Sequence, residues 1–393
     1  MSLNTTPSSE RLHIGFFGMR NAGKSSLVNA VTGQNLALVS DIKGTTTDPV
    51  KKAMEILPLG PVVIIDTPGL DDEGVLGEMR VKRAKEVLDS VNIAILVVDA
   101  SKGMSEEDKE LAADIERRKL PLIIAMNKAD LFGQVPENDE NMIYVSAEKN
   151  IGINELKEKL AGLSKTAKSD KKILADLVSK GDTVMLVTPI DESAPKGRLI
   201  LPQQQTIREL LEIGAMTMVV QVEEITDALA NLKTMPKLVI TDSQAFGKVA
   251  KLLPRDIKLT SFSILFARYK GDLEMVVQGA DKLSALKDGD SILISEGCTH
   301  HRQCKDIGTV KLPDWIKKFS GKELSFTFTS GGEFPGDLSG FALVVHCGGC
   351  TLNEQEMKSR LERCRTQGVA VTNYGTAIAE INGILRRSLE IFA

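Results

Sequence analysis

The chain has 393 residues, enough for two or three cores at roughly 100–200 residues per domain, and 42% hydrophobic against 26% charged residues marks a globular protein. A formal net charge of −4 leaves no basic footprint for a nucleic-acid backbone, and no stretch approaches the roughly 18 apolar residues a membrane span requires. No nucleic-acid or membrane partner is expected, and the expected location is the cytoplasm. From Leu12 to about Leu163, apolar β-rich runs at 14–17, 62–65, 93–98, 122–125 and 142–145 alternate with helix-like segments, the pattern of a mostly parallel sheet covered on both faces. The charged, small-residue stretch 164–172 reads as a linker.

A second α/β unit follows, with apolar runs at 184–187, 216–220 and 238–240 and amphipathic helices over 225–232 and 246–253, where apolar residues recur at i, i+3, i+4 and i+7. A sheet of about three strands has open edges. Pairing with a second copy would cover them, so a homodimer is expected, with an edge capped by the neighbouring domain as the rival. From about Asp256, strands are expected at 262–266, 291–295, 324–328 and 341–345. The expected fold class is α/β throughout: a P-loop domain over 9–165, a small α/β dimerisation domain over 172–255, and an α/β metal-binding domain over 256–393. The last assignment follows from the cysteines. All five (Cys298, Cys304, Cys347, Cys350 and Cys364) fall in the final quarter, and in a reducing compartment such clustering favours metal over disulfides.

Directly after the first strand stands Gly18-Met-Arg-Asn-Ala-Gly23-Lys24-Ser25, which fits the phosphate-loop pattern G-x-x-x-x-G-K-[ST] and runs into a helix. The glycines let backbone N–H groups of Gly18, Ala22, Gly23 and Ser26 wrap the phosphates. Lys24 neutralises the β- and γ-phosphates, and Ser25 ligates magnesium. Asp66-Thr-Pro-Gly69 follows the strand at 62–65: Asp66 can hold a magnesium-bound water, and the Gly69 N–H can sense the γ-phosphate. Asn127-Lys128-Ala-Asp130 selects guanine, because Asp130 can accept from both N1 and N2 hydrogens, a pair adenine lacks. Ser146-Ala147-Glu is suited to reach guanine O6 through backbone N–H. Four elements in this order specify GTP and GDP as ligands, with Mg2+. Leu70 stands where other GTPases place a water-orienting Gln, so intrinsic hydrolysis is expected to be slow.

Residues 11–163 resemble the TrmE and Era branch of the GTPases. In that pattern Asn21 contributes to a K+ site, Gly44-Thr45-Thr46-Thr47-Asp48 is the switch, with Thr47 where the family usually has Arg, and Thr46 is the second magnesium ligand. The resemblance also places Glu78 at a carboxylate acting through water. It makes Lys24, Thr46 and Glu78 the catalytic set.

Downstream, the strand at 291–295 runs into Glu296-Gly-Cys298-Thr-His300, and the strand at 341–345 into His346-Cys347-Gly-Gly-Cys350. Parallel strands would bring both groups to one sheet edge, the usual place for a ligand crevice. Thr351-x-x-Glu354 reads as a capping box opening a helix beside them. By spacing alone the site suits zinc, as Cys3His with His300 or His346, or an iron–sulfur cluster, or a redox dithiol. Cys304 and Cys364 have no partner at ligand spacing and read as small hydrophobes.

The combination of this GTPase with C-x-H, 45 residues, and H-C-x-x-C resembles the HydF GTPases that mature iron-only hydrogenase. That resemblance implies a 4Fe-4S cluster on Cys298, Cys347 and Cys350, with His300, His346 or Glu296 as candidates for the fourth position. It further implies a scaffold that assembles a diiron precursor, with radical-enzyme maturases and apo-[FeFe]-hydrogenase as partners. The alternative is a TrmE-like GTPase acting on RNA or ribosomes with a structural zinc module, which the missing basic stripe disfavours.

Overall fold

The first sheet grows from near-continuous apolar runs, and the computed structural model describes residues 6–34, 49–69, 75–167, 171–190, 199–298 and 306–393, the side chains of 75–80, 82, 166 and 167 excepted. Its elements are β1 (Leu12–Phe17), α1 (Lys24–Thr32), β2 (Val50–Ile56), β3 (Gly60–Asp66), α2 (Val75–Leu88), β4 (Ile93–Asp99), α3 (Glu106–Arg117), β5 (Leu122–Asn127), β6 (Met142–Tyr144) and α4 (Ile153–Ala167). The six strands lie in the order β2-β3-β1-β4-β5-β6. All neighbours are parallel except β2, which runs antiparallel to β3. Apolar side chains fill both faces: Ile14, Phe16, Leu27, Ile95 and Leu160 pack on one, and Phe17, Ile65, Leu88, Leu96 and Ile115 on the other. That double burial explains why the inner strands read as unbroken apolar runs. The edge strand β2 escaped the pattern because Lys51 and Lys52 interrupt it and most of it is exposed.

Residues 1–170 form one compact unit and 171–393 another. The second contains β7 (Thr183–Val187), α5 (Leu201–Ile213), β8 (Met216–Val220), α6 (Ile225–Ala230), β9 (Leu238–Thr241), α7 (Phe246–Leu252), β10 (Lys258–Ser261), α8 (Phe262–Lys270) and α9 (Leu273–Ala280). It continues with β11 (Ser291–Glu296), α10 (Leu312–Ser320), β12 (Ser325–Ser330), β13 (Leu343–His346), α11 (Glu354–Thr366), β14 (Ala370–Asn373), α12 (Tyr374–Ile381) and α13 (Leu385–Leu389). Two parallel four-stranded sheets result, ordered β10-β9-β7-β8 and β12-β11-β13-β14.

Two expectations change here. The run 262–266 is helix rather than strand: Ser261 caps it, its hydroxyl accepting from the Ile264 N–H at 3.3 Å, and Phe262, Ile264, Leu265 and Phe266 are all buried. The strand of this region is β10, which pairs with β9 (Leu259 opposite Val239), so the boundary expected after 255 falls inside the second sheet, which has four strands rather than three. Among the described residues no helix is long and apolar enough to cross a membrane.

Candidate functional site

The first site begins where β1 ends. Gly18 has φ +136°, and a Cβ there would sit 2.2 Å from the Val97 carbonyl on the neighbouring β4. Gly23 has φ +88° and would drive a Cβ to 2.2 Å from Asn127 Nδ2. Only glycine serves at either place. Asn21 is also left-handed, at φ +59°, and is exposed, as is Ser26 in the first turn of α1. Lys24 is buried and its ammonium donates to the Gly18 and Met19 carbonyls, both at 2.9 Å, so it arches back over the mouth of the loop. Asn127, at the end of β5, locks the base side to the phosphate side: Nδ2 donates to Ala22 O at 2.9 Å, and Oδ1 accepts from Ala147 N at 3.1 Å.

Asp66 closes β3 with Oδ2 accepting from Ser25 Oγ at 2.8 Å, while its Oδ1 is buried without a hydrogen-bond partner. Burial pushes the carboxyl above its ordinary range, against the pull of Ser25 and Lys24. A hydroxyl and a carboxylate with a spare buried oxygen are the donor set that suits a hydrated magnesium ion. Thr67 fixes the turn by donating to Phe16 O at 2.7 Å, and a Cβ on Gly69 would meet the Arg20 backbone at 3.1 Å. Lys128, left-handed at φ +66°, reaches Asp99 at 2.6 Å. Burial alone would raise Asp99, but hydrogen bonds from Lys128 and Ser101 outweigh it and hold the carboxyl low. Sequence reading missed Asp99, which follows an apolar strand like many surface turns. Asp130 follows in a short turn, half-buried. The Ser146 N–H donates to Ile151 O at 2.9 Å, which fixes the loop that carries Ala147. Thr46 and the Glu78 side chain lie outside the described residues, Glu78 contributing only backbone to α2.

The second site lies at the ends of β11 and β13, parallel neighbours with Ser295 opposite His346. Their following loops leave from the same sheet edge, as expected. The Gly297 N–H donates to Cys347 Sγ at 3.0 Å and the Gly349 N–H to the same sulfur at 3.4 Å, while Thr351 Oγ1 donates to Gly297 O at 2.7 Å. Neither glycine has room for a side chain as its neighbours are packed. A Cβ on Gly297 would sit 2.7 Å from Leu352 Cγ, and Gly349, at φ +62°, would place one 2.6 Å from Met357 Sδ. Thr351 therefore stitches the loops rather than capping the helix; the cap of α11 is Asn353, whose side chain accepts from Glu356 N at 2.8 Å.

Cys298, Cys347 and Cys350 are each half-buried. Burial pushes Cys347 up to about 11 and raises Cys350 too, although the Lys270 charge opposes the latter. Cys364 is buried in α11 among Val344, Leu361 and Val371, the apolar role expected for it, with burial pushing it up to about 12. His300 and Cys304 lie outside the described residues. Among the described residues no group of three or more His, Cys, Asp and Glu side chains converges at metal-binding distance.

Both ring nitrogens of His346 have partners: Nδ1 lies 2.8 Å from Cys347 O and Nε2 3.0 Å from Arg360 Nη1. Burial, then the Arg360 charge, push it down to about 3. Glu296 is buried and accepts from Tyr374 OH at 3.1 Å. Lys270, 2% exposed at the end of α8, donates to Cys350 O at 3.3 Å and Leu352 O at 3.1 Å. Neither Arg360 nor Lys270 could be found by pattern, since each sits in a charged stretch that reads as solvated surface.

Residues 173–271 match the family model of the hydrogen maturase F dimerization domain, and residues 274–391 that of the hydrogen maturase F tetramerization domain. The chain belongs to the hydrogen maturase F family. Residues 13–128 match a further model, described as 50S ribosome-binding GTPase, so a GTPase domain precedes the two family-specific ones. The chain is similar to the tRNA modification GTPase MnmE of Clostridioides difficile, 33% identical over 162 residues, 39% of this chain and 35% of that protein. It is also similar to GTPase Der of Kosmotoga olearia, 33% identical over 170 residues and 38% of each chain. The chain thus spans about a third of the length of the curated relatives it matches. Among solved structures, Era of Aquifex aeolicus bound to GDP and AlF4− is 18% identical, with 61% of this chain and 97% of that one covered at a TM-score of 0.35.

Proposed function

We propose that the protein is a GTPase and 4Fe-4S scaffold that assembles a diiron precursor and delivers it to an apo-[FeFe]-hydrogenase. In the first unit Lys24 would shift its ammonium from the Gly18 and Met19 carbonyls to the phosphates, while Ser25 and Asp66 hold Mg2+. Asn127 keeps the two ends of the nucleotide cradle in register, and Asp130 reads guanine. Hydrolysis is slow, since Leu70 cannot orient water, and K+ at Asn21 speeds it; Thr46 and Glu78 complete the catalytic set.

In the second unit Cys298, Cys347 and Cys350 would hold the cluster. Bound there, it supplies an iron with one exchangeable position for cargo. The residues fit: Gly297 and Gly349 aim N–H groups at a cysteine sulfur and leave no room for a Cβ, as a buried thiolate requires. One observation carries the reading, the bond from Gly297 N–H to Cys347 Sγ, which joins the Cys298 loop to the C-x-x-C loop. The edge of β8, which no strand covers among the described residues, supports a homodimer, and nucleotide state biases contacts with maturases and the hydrogenase, in the cytoplasm.

Anaerobic reconstitution of the full chain with iron and sulfide, followed by electron paramagnetic resonance, tests the reading. A reduced 4Fe-4S signal is expected in the wild type and its loss in Cys298→Ser, Cys347→Ser and Cys350→Ser. Stoichiometric tight zinc with no cluster would sink it.

A further inference from the structure

Arg360, in the second turn of α11, is a cation only 4% exposed. Its Nη1 donates to His346 Nε2 at 3.0 Å and Ser295 Oγ at 3.3 Å, and its Nη2 to Gly331 O at 2.6 Å and Glu356 Oε1 at 2.7 Å. The guanidinium also lies 5.2 Å from the centroid of the Phe334 ring. Ser295 is held in turn: Thr329 Oγ1 lies 3.1 Å from Ser295 Oγ, and Ser295 O accepts the Cys347 N–H at 2.9 Å. The cation is thus fixed on several sides and cannot drift from the histidine without breaking other bonds.

A guanidinium has only donors. His346 Nε2, facing one, must be the acceptor, which leaves Nδ1 to carry the proton and donate to Cys347 O at 2.8 Å. We propose that Arg360 is a positioning residue that locks His346 in its Nδ1–H tautomer, so that the imidazole orients the Cys347 backbone and is withheld from any metal held by Cys298, Cys347 and Cys350. The tautomer lock stands on the apo chain alone. The withholding of a ligand rests on the cluster reading above, and its consequence there is that the remaining iron position stays open to cargo.

Both parts are tested on the full chain. For the lock, the apoprotein labelled with 15N-histidine is studied by NMR at neutral pH, and His346→Gln picks out one signal set among four histidines. The wild type is expected to show a pyrrole-type Nδ1 and a pyridine-type Nε2. Arg360→Met is expected to lose that single tautomer and Arg360→Lys, which keeps one donor, to restore it; an Nε2–H tautomer in the wild type overturns the lock, as does an unchanged tautomer in Arg360→Met. For the withheld ligand, pulsed electron paramagnetic resonance of the reduced cluster is compared in wild type and His346→Gln. No directly bonded imidazole coupling is expected in either, and Arg360→Met is expected to gain one; a coupling in the wild type that disappears in His346→Gln overturns the proposal. Should Arg360→Met fail to fold, Arg360→Gln takes its place in testing the lock, and the wild type and His346→Gln still decide whether the imidazole is withheld. A chain with the expected tautomer that takes up no cluster would unseat the scaffold reading and leave the lock standing.

Discussion

Two adjacent glycines separate backbone need from mere smallness. Gly349 is left-handed at φ +62° and a Cβ would press on Met357 Sδ at 2.6 Å, whereas a Cβ on Gly348 would find its nearest atom, Ser263 Oγ, at 3.5 Å. A left-handed non-glycine residue costs roughly 1–2 kcal/mol before any clash. Gly349→Ala should therefore lower stability in urea by about 2 kcal/mol and cut cluster occupancy, because the 349 N–H no longer aims at Cys347 Sγ. Gly348→Ala should stay within about 0.5 kcal/mol of wild type. Equal losses in the two variants would show that the loop answers to size and not to φ.

Sheet edges carry the next level of argument. In the order β10-β9-β7-β8, β8 has β7 on one side and among the described residues no strand on the other. It exposes Met216 by 57% and Val219 by 44%, with Leu211 of α5 exposed by 64% nearby in sequence. Unpaired ladder groups beside apolar side chains are what a second copy would cover, and a lysine on an edge is a common means of preventing that. Val219→Lys should convert a dimer to a monomer by sedimentation at micromolar concentration, with urea stability of the monomer changed by no more than about 0.5 kcal/mol. A variant that stays dimeric would move the interface off β8. This strand was legible because four of its five residues, Met216, Met218, Val219 and Val220, are apolar, and the phosphate loop was legible because its chemistry is written in consecutive residues. The run 262–266 was not: five apolar-rich residues buried on all sides have no periodicity to separate helix from strand, and the deciding feature is the Ser261 cap. Nor was the support of the cysteine loops legible, since Arg360 lies in Glu-Gln-Glu-Met-Lys-Ser-Arg-Leu-Glu-Arg, which reads as a solvated helix until β13 is placed beneath it.

At the scale of the whole chain, three family models map onto two compact units. The models for 173–271 and 274–391 meet between β10's sheet and the cysteine sheet, yet the residues on either side share cores: Met185, Val187 and Phe246 pack with Ala280, Ala379 and Leu385, and Val184 and Phe262 with Ile391. Buried Arg387 donates to Ala250 O at 3.0 Å, Pro254 O at 2.6 Å and Ile257 O at 3.3 Å, and buried Lys270 reaches Cys350 O and Leu352 O. Unfolding either half of 171–393 would expose apolar surface on the other and break the charged hydrogen bonds that join them, each worth about 1.5–3 kcal/mol. Calorimetry of the full chain should therefore resolve two transitions, one for 1–170 and one for 171–393. GDP with magnesium at about 100-fold over Kd should stabilise the first by about 2.7 kcal/mol and leave the second in place, while cluster reconstitution should raise only the second. A third transition would divide 171–393 at the seam between the two models, and a nucleotide shift in both would mean that the two units unfold together.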